Sequence, residues 1–253
     1  MKLLRVIPAL LAASFAYAQE APKDLQLFLL IGQSNMAGRG QVEAADKQPI
    51  PGVFMLTKDM RWVPAVDPLH FDKPDIAGVG IGRSFAKVLV RLNPKASIGL
   101  IPAAFGGTSL DQWKPGGELY TNAAARAREA MKSGRLRGIL WHQGEADSRG
   151  EETIATYRER WTKLMEALRK ELNAPDVPIV VGELGEFFTA RAPLAPKINE
   201  QLALLPLHFP RTAFVSSAGL KDKGDSTHFD TPSVREFGRR YAHAFLMLDS
   251  SWE

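Results

Sequence analysis

The amino-acid sequence reads as a three-layer α/β/α sandwich around a mostly parallel, five-stranded sheet. Continuous apolar runs at residues 27–31, 97–101, 138–141, 178–182 and 212–215 are each bounded by loop-forming residues. Uninterrupted apolar runs of that length mark strands buried on both faces. Helical patterns separate the runs, so strand and helix alternate along one chain, as a parallel sheet with helices on both sides requires. Four clusters of polar and small residues, at 32–36, 104–113, 142–147 and 182–186, fall at or just after strand ends. The carboxyl ends of the strands are where open parallel sheets bind their ligands.

Taken in chain order, the first strand is followed by an excursion over residues 40–75. It carries Pro51, Pro64, Pro68 and Pro74 and little periodicity, and is expected to be a long loop or a small excursion over one side of the site. Ile81, Phe85, Val88, Leu89 and Leu92 then mark the apolar face of a helix. After the second strand a helix is expected over 119–131. After the third, Ile154, Tyr157, Trp161, Leu164, Met165, Leu168 and Leu172 define another face. A helix over 198–205 follows the fourth strand. The last helix places Val234, Phe237, Tyr241 and Phe245 on one side, with Thr231 suited to its N-cap and Pro232 to its first turn.

Ahead of all this, Lys2 and Arg5 precede an apolar run over residues 6–15, and small residues occupy positions 16 and 18. This is the layout of a secretory signal peptide spanning 1–18 and cut after Ala18, which predicts a secreted or periplasmic protein. The remaining residues 19–253 suit one domain with a sizeable core. The full chain carries a formal charge of +4, and loss of Lys2 and Arg5 leaves +2 with no basic run, so nucleic acid is not an expected partner. The chain has no cysteine, which excludes disulfides, thiolate metal sites and a cysteine nucleophile. No apolar stretch after the leader reaches the length of a membrane span, so no membrane association is expected once it is removed.

Ser34 follows the first strand in the block Gly32, Gln33, Ser34, Asn35, Met36, a turn leading toward a short helix. A serine hydroxyl attacks acyl carbon only when a base accepts its proton. Two of the five histidines have an aspartate three residues earlier, His70 after Asp67 and His228 after Asp225. That spacing can bring a carboxylate to one ring nitrogen and so fix the tautomer. His228 is preferred because its polar loop lies between the last strand and the last helix, whereas His70 falls in the proline-rich excursion. Donors for a developing oxyanion could come from the backbone at Gly106 and Gly107, and from the Gln143 amide.

Together, GQSNMAG (32–38), GGTSLDQW (106–113), WHQGEAD (141–147) and DSTH (225–228) resemble the SGNH/GDSL hydrolases, and within them the family-6 carbohydrate esterases and the sialate O-acetylesterase group. The resemblance implies a flavodoxin-like SGNH fold, a sugar acetyl ester as substrate and no cofactor or metal. It implies Ser34 as nucleophile, His228 as base, Asp225 as the acid orienting it, and an oxyanion hole from the Ser34 and Gly107 N–H groups. Gln143 would stand as third donor where the wider superfamily has an asparagine. Glu145, in the same block, could replace Asp225 against His228 or support Gln143 from behind. His142, Asn35 and Gln33 are expected to brace the loops.

Trp113, Trp62 and Phe105 are candidates for stacking on a sugar ring. Arg39, Arg83 and Lys114 are candidates for a sialic carboxylate. The rival of another class is a carbohydrate-binding domain without catalysis. Oligomeric state is not legible.

Overall fold

The computed structural model describes residues 22–252. The signal peptide expected over 1–18 lies outside them. In chain order the strands are β1 (Leu25–Gly32), β2 (Val53–Leu56), β3 (Trp62–Pro64), β4 (Ile98–Pro102), β5 (Gly134–His142), β6 (Ile179–Gly182) and β7 (Thr212–Val215). The helices are α1 (Ser34–Ala37), α2 (Ile81–Leu92), α3 (Glu118–Ala130), α4 (Glu151–Ala155), α5 (Tyr157–Glu171), α6 (Glu186–Arg191), α7 (Ala195–His208) and α8 (Thr231–Leu248). Among these residues no helix is long and apolar enough to cross a membrane.

The strands form one sheet in the order β3-β2-β4-β1-β5-β6-β7, parallel except for the edge pair β2–β3. Side chains alternate across it: Leu27, Leu29 and Ile31 of β1 join one core with α3, α5 and α7, while Phe28 and Leu30 join the other with α2 and α8. This period-two division is why the strands read as unbroken apolar runs, since both faces are covered. The five expected strands run β4-β1-β5-β6-β7, so the strand order reverses at β1. The crevice beyond the carboxyl end of β1 is the topological switch point, and Ser34 stands there.

Seven strands are present rather than five, because the 40–75 excursion is not all loop. Its apolar run Val53–Leu56 pairs parallel with β4, and Trp62–Pro64 closes the edge antiparallel. Both are short, and Pro64 is tolerated where an edge strand needs no further donor. The expected 154–172 helix is interrupted at Thr156 (φ −95°, ψ 0°), whose hydroxyl donates to the Glu152 carbonyl. Such back-bonding by threonine competes with regular helix geometry. The N-cap of α8 is Asp230, not Thr231: its carboxylate accepts the Ser233 N–H at 2.8 Å.

Candidate active site

Gly32 brings β1 against β5. Its φ of +127° and the 2.1 Å that would separate any Cβ from the His142 carbonyl oxygen leave no room for a side chain. The chain then turns into α1, whose first residue is Ser34. An N-terminal helical residue has no intrahelical partner for its N–H, so hydroxyl and amide are presented together. Asn35, next along, ties three segments: its Nδ2 donates to Glu145 Oε1 (2.7 Å) and the Thr227 carbonyl (3.1 Å), and its Oδ1 accepts the Phe229 N–H (3.2 Å). The expected bracing role of Asn35 is thus visible in its bonds.

The loop before α8 places His228 Nε2 2.9 Å from Ser34 Oγ, and His228 Nδ1 2.7 Å from Asp225 Oδ2. Asp225 Oδ1 also accepts the N–H groups of Thr227 (2.9 Å) and His228 (2.8 Å). Partial burial raises the Asp225 carboxyl, but the His228 ring and these amides outweigh it and hold the group down to about 2. Asp225 therefore stays ionised through the neutral range. Glu145 makes its bond to Asn35, and Asp225 is the carboxylate against His228.

Two groups outside the four motifs shape this loop. Asp222 Oδ2 accepts the N–H groups of Gly224 and Ser226. Arg191 at the end of α6 donates to the Ser226 carbonyl (2.8 Å) and to Thr227 Oγ1 (2.7 Å). Ser226 sits at φ 53°, a conformation non-glycine residues avoid, so the loop needs these ties. Replacing Arg191 by alanine is expected to lower kcat roughly tenfold by loosening His228 against Ser34. Steady-state kinetics with a circular-dichroism melt would check this; unchanged kcat would show the tie is dispensable.

Gly107, at φ +82°, lines the cleft beside Ser34. Gln143 does not reach it. Its side chain is fully buried, with Nε2 donating to the Thr108 carbonyl (3.0 Å) and Asp147 Oδ2 (2.6 Å), and Oε1 accepting from the Tyr157 hydroxyl (3.0 Å). With two acceptors at its nitrogen and a hydroxyl at its oxygen, the amide's orientation follows from its partners. The two N–H donors expected for an oxyanion are thus spent on the Thr108 carbonyl and on Asp147. Asp147 completes the brace by accepting Leu110 N–H and Arg160.

The second Asp-x-x-His pair is not a site. Asp67 Oδ2 pairs with Arg83 at 3.2 Å, and His70 is buried in the core. Burial pushes the His70 imidazole down to about 4, against an upward pull from Asp72. An unfolded His70 takes its proton near the ordinary 6.5, the folded one only near 4. Its contribution to stability is therefore complete above about pH 6.5 and is lost as pH falls toward 4, by roughly 3 kcal/mol. Urea midpoints across that range should fall less steeply for His70→Leu than for wild type. Equal slopes would remove His70 as a cause. His142, also lowered by burial, bonds the Glu183 carbonyl through Nε2 (3.1 Å), the scaffold role expected of it.

The cleft above Ser34 holds about 610 Å³, with Gln33, Lys73, Ile76, Glu145, Arg149 and Phe188 among its walls. The expected sugar platforms are elsewhere: Trp113 is fully buried, and Trp62 and Phe105 do not line the cleft. Of the expected cations, Arg39 lines the cleft but is ion-paired with Asp72, Arg83 is paired with Asp67, and Lys114 lies off the cleft; Lys73, Arg149 and Arg191 line it as well. The 182–186 cluster stands behind the wall, which is formed by residues farther on, Phe188 and 191–194. Among the described residues no group of three or more His, Asp or Glu is placed to hold a metal ion.

A hydroxyl, an imidazole and a carboxylate in line, beside backbone amides at the switch point of a parallel sheet, are the parts used by ester hydrolases of the α/β class. Residues 24–247 match the family described as carbohydrate esterase, sialic acid-specific acetylesterase. A probable carbohydrate esterase of Arabidopsis thaliana is 32% identical over 240 residues, 87% of this chain and 90% of that one. The chain belongs to this family of carbohydrate esterases. The Arabidopsis crystal structure superposes with a TM-score of 0.81 over 88% of this chain and 98% of that one. NanS, 18% identical, superposes at 0.77 over 90% and 98% of the two chains. A carbohydrate acetylesterase from Xanthomonas citri, 20% identical, does so at 0.67 over 88% and 56%. The last two share the SGNH-type fold.

Proposed function

We propose that this protein is an exported carbohydrate O-acetylesterase working by a Ser-His-Asp mechanism. The observation that carries it is the continuous line from Ser34 Oγ through His228 to Asp225, at 2.9 and 2.7 Å. His228 Nε2 takes the Ser34 proton as Oγ attacks the acetyl carbonyl, and Asp225 stabilises the imidazolium that forms. The oxyanion is received by the Ser34 and Gly107 N–H groups. His228 returns the proton to the departing sugar oxygen, then activates the water that releases acetate from Ser34. No cofactor enters these steps.

The cleft suits one or two sugar rings. Two sugar classes fit the family: neutral acetylated xylo-oligosaccharides and O-acetylated sialic acid. Lys73, Arg149 and Arg191 on the walls favour the second, since a sialic carboxylate would find cations there. Acetate release by purified protein from both substrates, side by side, tests the reading. Release from the sialic ester with at least tenfold higher kcat/KM supports the acidic sugar, and the reverse order supports xylan. Binding of either sugar without any release of acetate leaves the catalytically silent domain as the reading. Export is tested by the N-terminus of protein recovered outside the cytoplasm, expected at Gln19.

A further inference from the structure

The oxyanion amides are separate pieces of backbone. Ser34 N–H belongs to α1 and Gly107 N–H to the loop after β4, so something must fix their separation. Asp72, from the excursion between β3 and α2, bonds to both segments, at Arg39 after α1 and at Gly106 in the loop. Its side chain is buried; Oδ2 accepts the Gly106 N–H at 2.9 Å and Arg39 Nη2 at 2.6 Å. Arg39 in turn donates through Nη1 to the Gly38 carbonyl at 2.7 Å, just past the end of α1. A chain of bonds thus runs from the nucleophile helix through Arg39 and Asp72 to the peptide preceding Gly107.

Packing adds to this. A Cβ on Gly106 would stand 2.6 Å from Arg39 Nη2 and 3.4 Å from Ser34 Cβ, so the loop backbone is pressed directly against both. None of the four sequence motifs contains Asp72. With Gln143 turned to the back of the same loop, Gly106–Gly107 is held from behind by Gln143 at Thr108 and from the side by Asp72 at Gly106.

We propose, building on the esterase reading, that Asp72 is a positioning residue for the oxyanion hole, setting the Gly107 N–H against the Ser34 N–H through its bond to Gly106 and its ion pair with Arg39. Loss of one aligned oxyanion donor lowers kcat about 10²- to 10³-fold. Asp72→Ala should therefore lose about 100-fold in kcat with KM within about threefold. Asp72→Asn, which keeps an acceptor for Gly106, should recover about tenfold of that loss.

The readout a general structural role would not move is affinity for a small alkylboronic acid. Boronic acids form a tetrahedral anion on the serine and need the hole, whereas ground-state substrate needs it far less. Boronate affinity should fall in Asp72→Ala in step with kcat/KM. Because the alanine variant leaves Arg39 buried without its counter-charge, the double variant Asp72→Ala, Arg39→Met is made alongside. It should regain thermal stability and not activity. If wild type releases no acetate, the esterase reading itself fails. If wild type is active and Asp72→Ala keeps its kcat, or loses kcat with boronate affinity intact, or the double variant regains activity with stability, Asp72 does not position the hole.

Discussion

Ser34→Ala is expected to lower kcat for acetate release by about 10⁴- to 10⁶-fold while leaving the fold intact. Among the described residues the hydroxyl is the only side chain lining the cleft that bonds His228 Nε2, at 2.9 Å, so nothing stands ready to replace it. Its loss removes one oxygen from a residue that is 7% exposed, and Met36 and Ala37 continue to anchor α1 in the core beside α2. Melting temperature should thus stay within a few degrees. The residual rate reports what the oxyanion amides and the cleft achieve with water alone. A variant retaining more than a tenth of wild-type kcat would rule Ser34 out as nucleophile.

The second large effect falls on Asp225. Asp225→Asn should cost about 10⁴-fold in kcat with little change in KM. An asparagine nitrogen facing His228 Nδ1 would favour the tautomer with its proton on Nε2, which cannot accept from Ser34. The carboxylate also steadies the imidazolium, and because it is held down to about 2 it does so throughout the range in which His228 can act as a base. The sign of the pH dependence follows. A depressed carboxyl contributes above its ordinary 3.8 and loses that contribution only as pH falls toward 2. The acid limb of kcat/KM should accordingly show no ionisation of Asp225 between pH 4 and 6. A two-proton limb there would show that Asp225 is not charged as the geometry requires.

Most of the frame was legible from the chain because burial on both faces writes strands as unbroken apolar runs and amphipathic helices as stripes. Residues 27–31 and 212–215 could hardly be read otherwise. Val53–Leu56 carries the same signal over four residues but sits among prolines, and Trp62–Pro64 is too short and too exposed to show any period. The arginines at 135 and 137 hid the first half of β5, whose outer end is only partly covered. In the site, the local Asp-x-x-His spacing was readable because a three-residue turn brings the carboxylate back onto the ring. Its duplicate at Asp67 and His70 is set apart by its place in the proline-rich excursion, and its burial in the core shows why it carries no site.

Gln143 illustrates the opposite difficulty. Its place in the third motif suggested a donor at the reaction centre, yet its direction depends on Tyr157, fourteen residues on, and on Asp147, four residues on. Asp72 and Arg191 lay beyond sequence reasoning altogether. Their partners are 34 and 35 residues away along the chain, and an aspartate or arginine in a polar stretch looks like any solvated charge until the fold closes.

The most direct test of the account is to treat the purified protein with a small alkyl fluorophosphonate and map the adduct by peptide mass spectrometry. The account predicts a single phosphonyl group on Ser34, formed in step with loss of acetate release and absent from Ser34→Ala. Full acetate release from unlabelled protein, or inactivation with the adduct on any other residue, would contradict it.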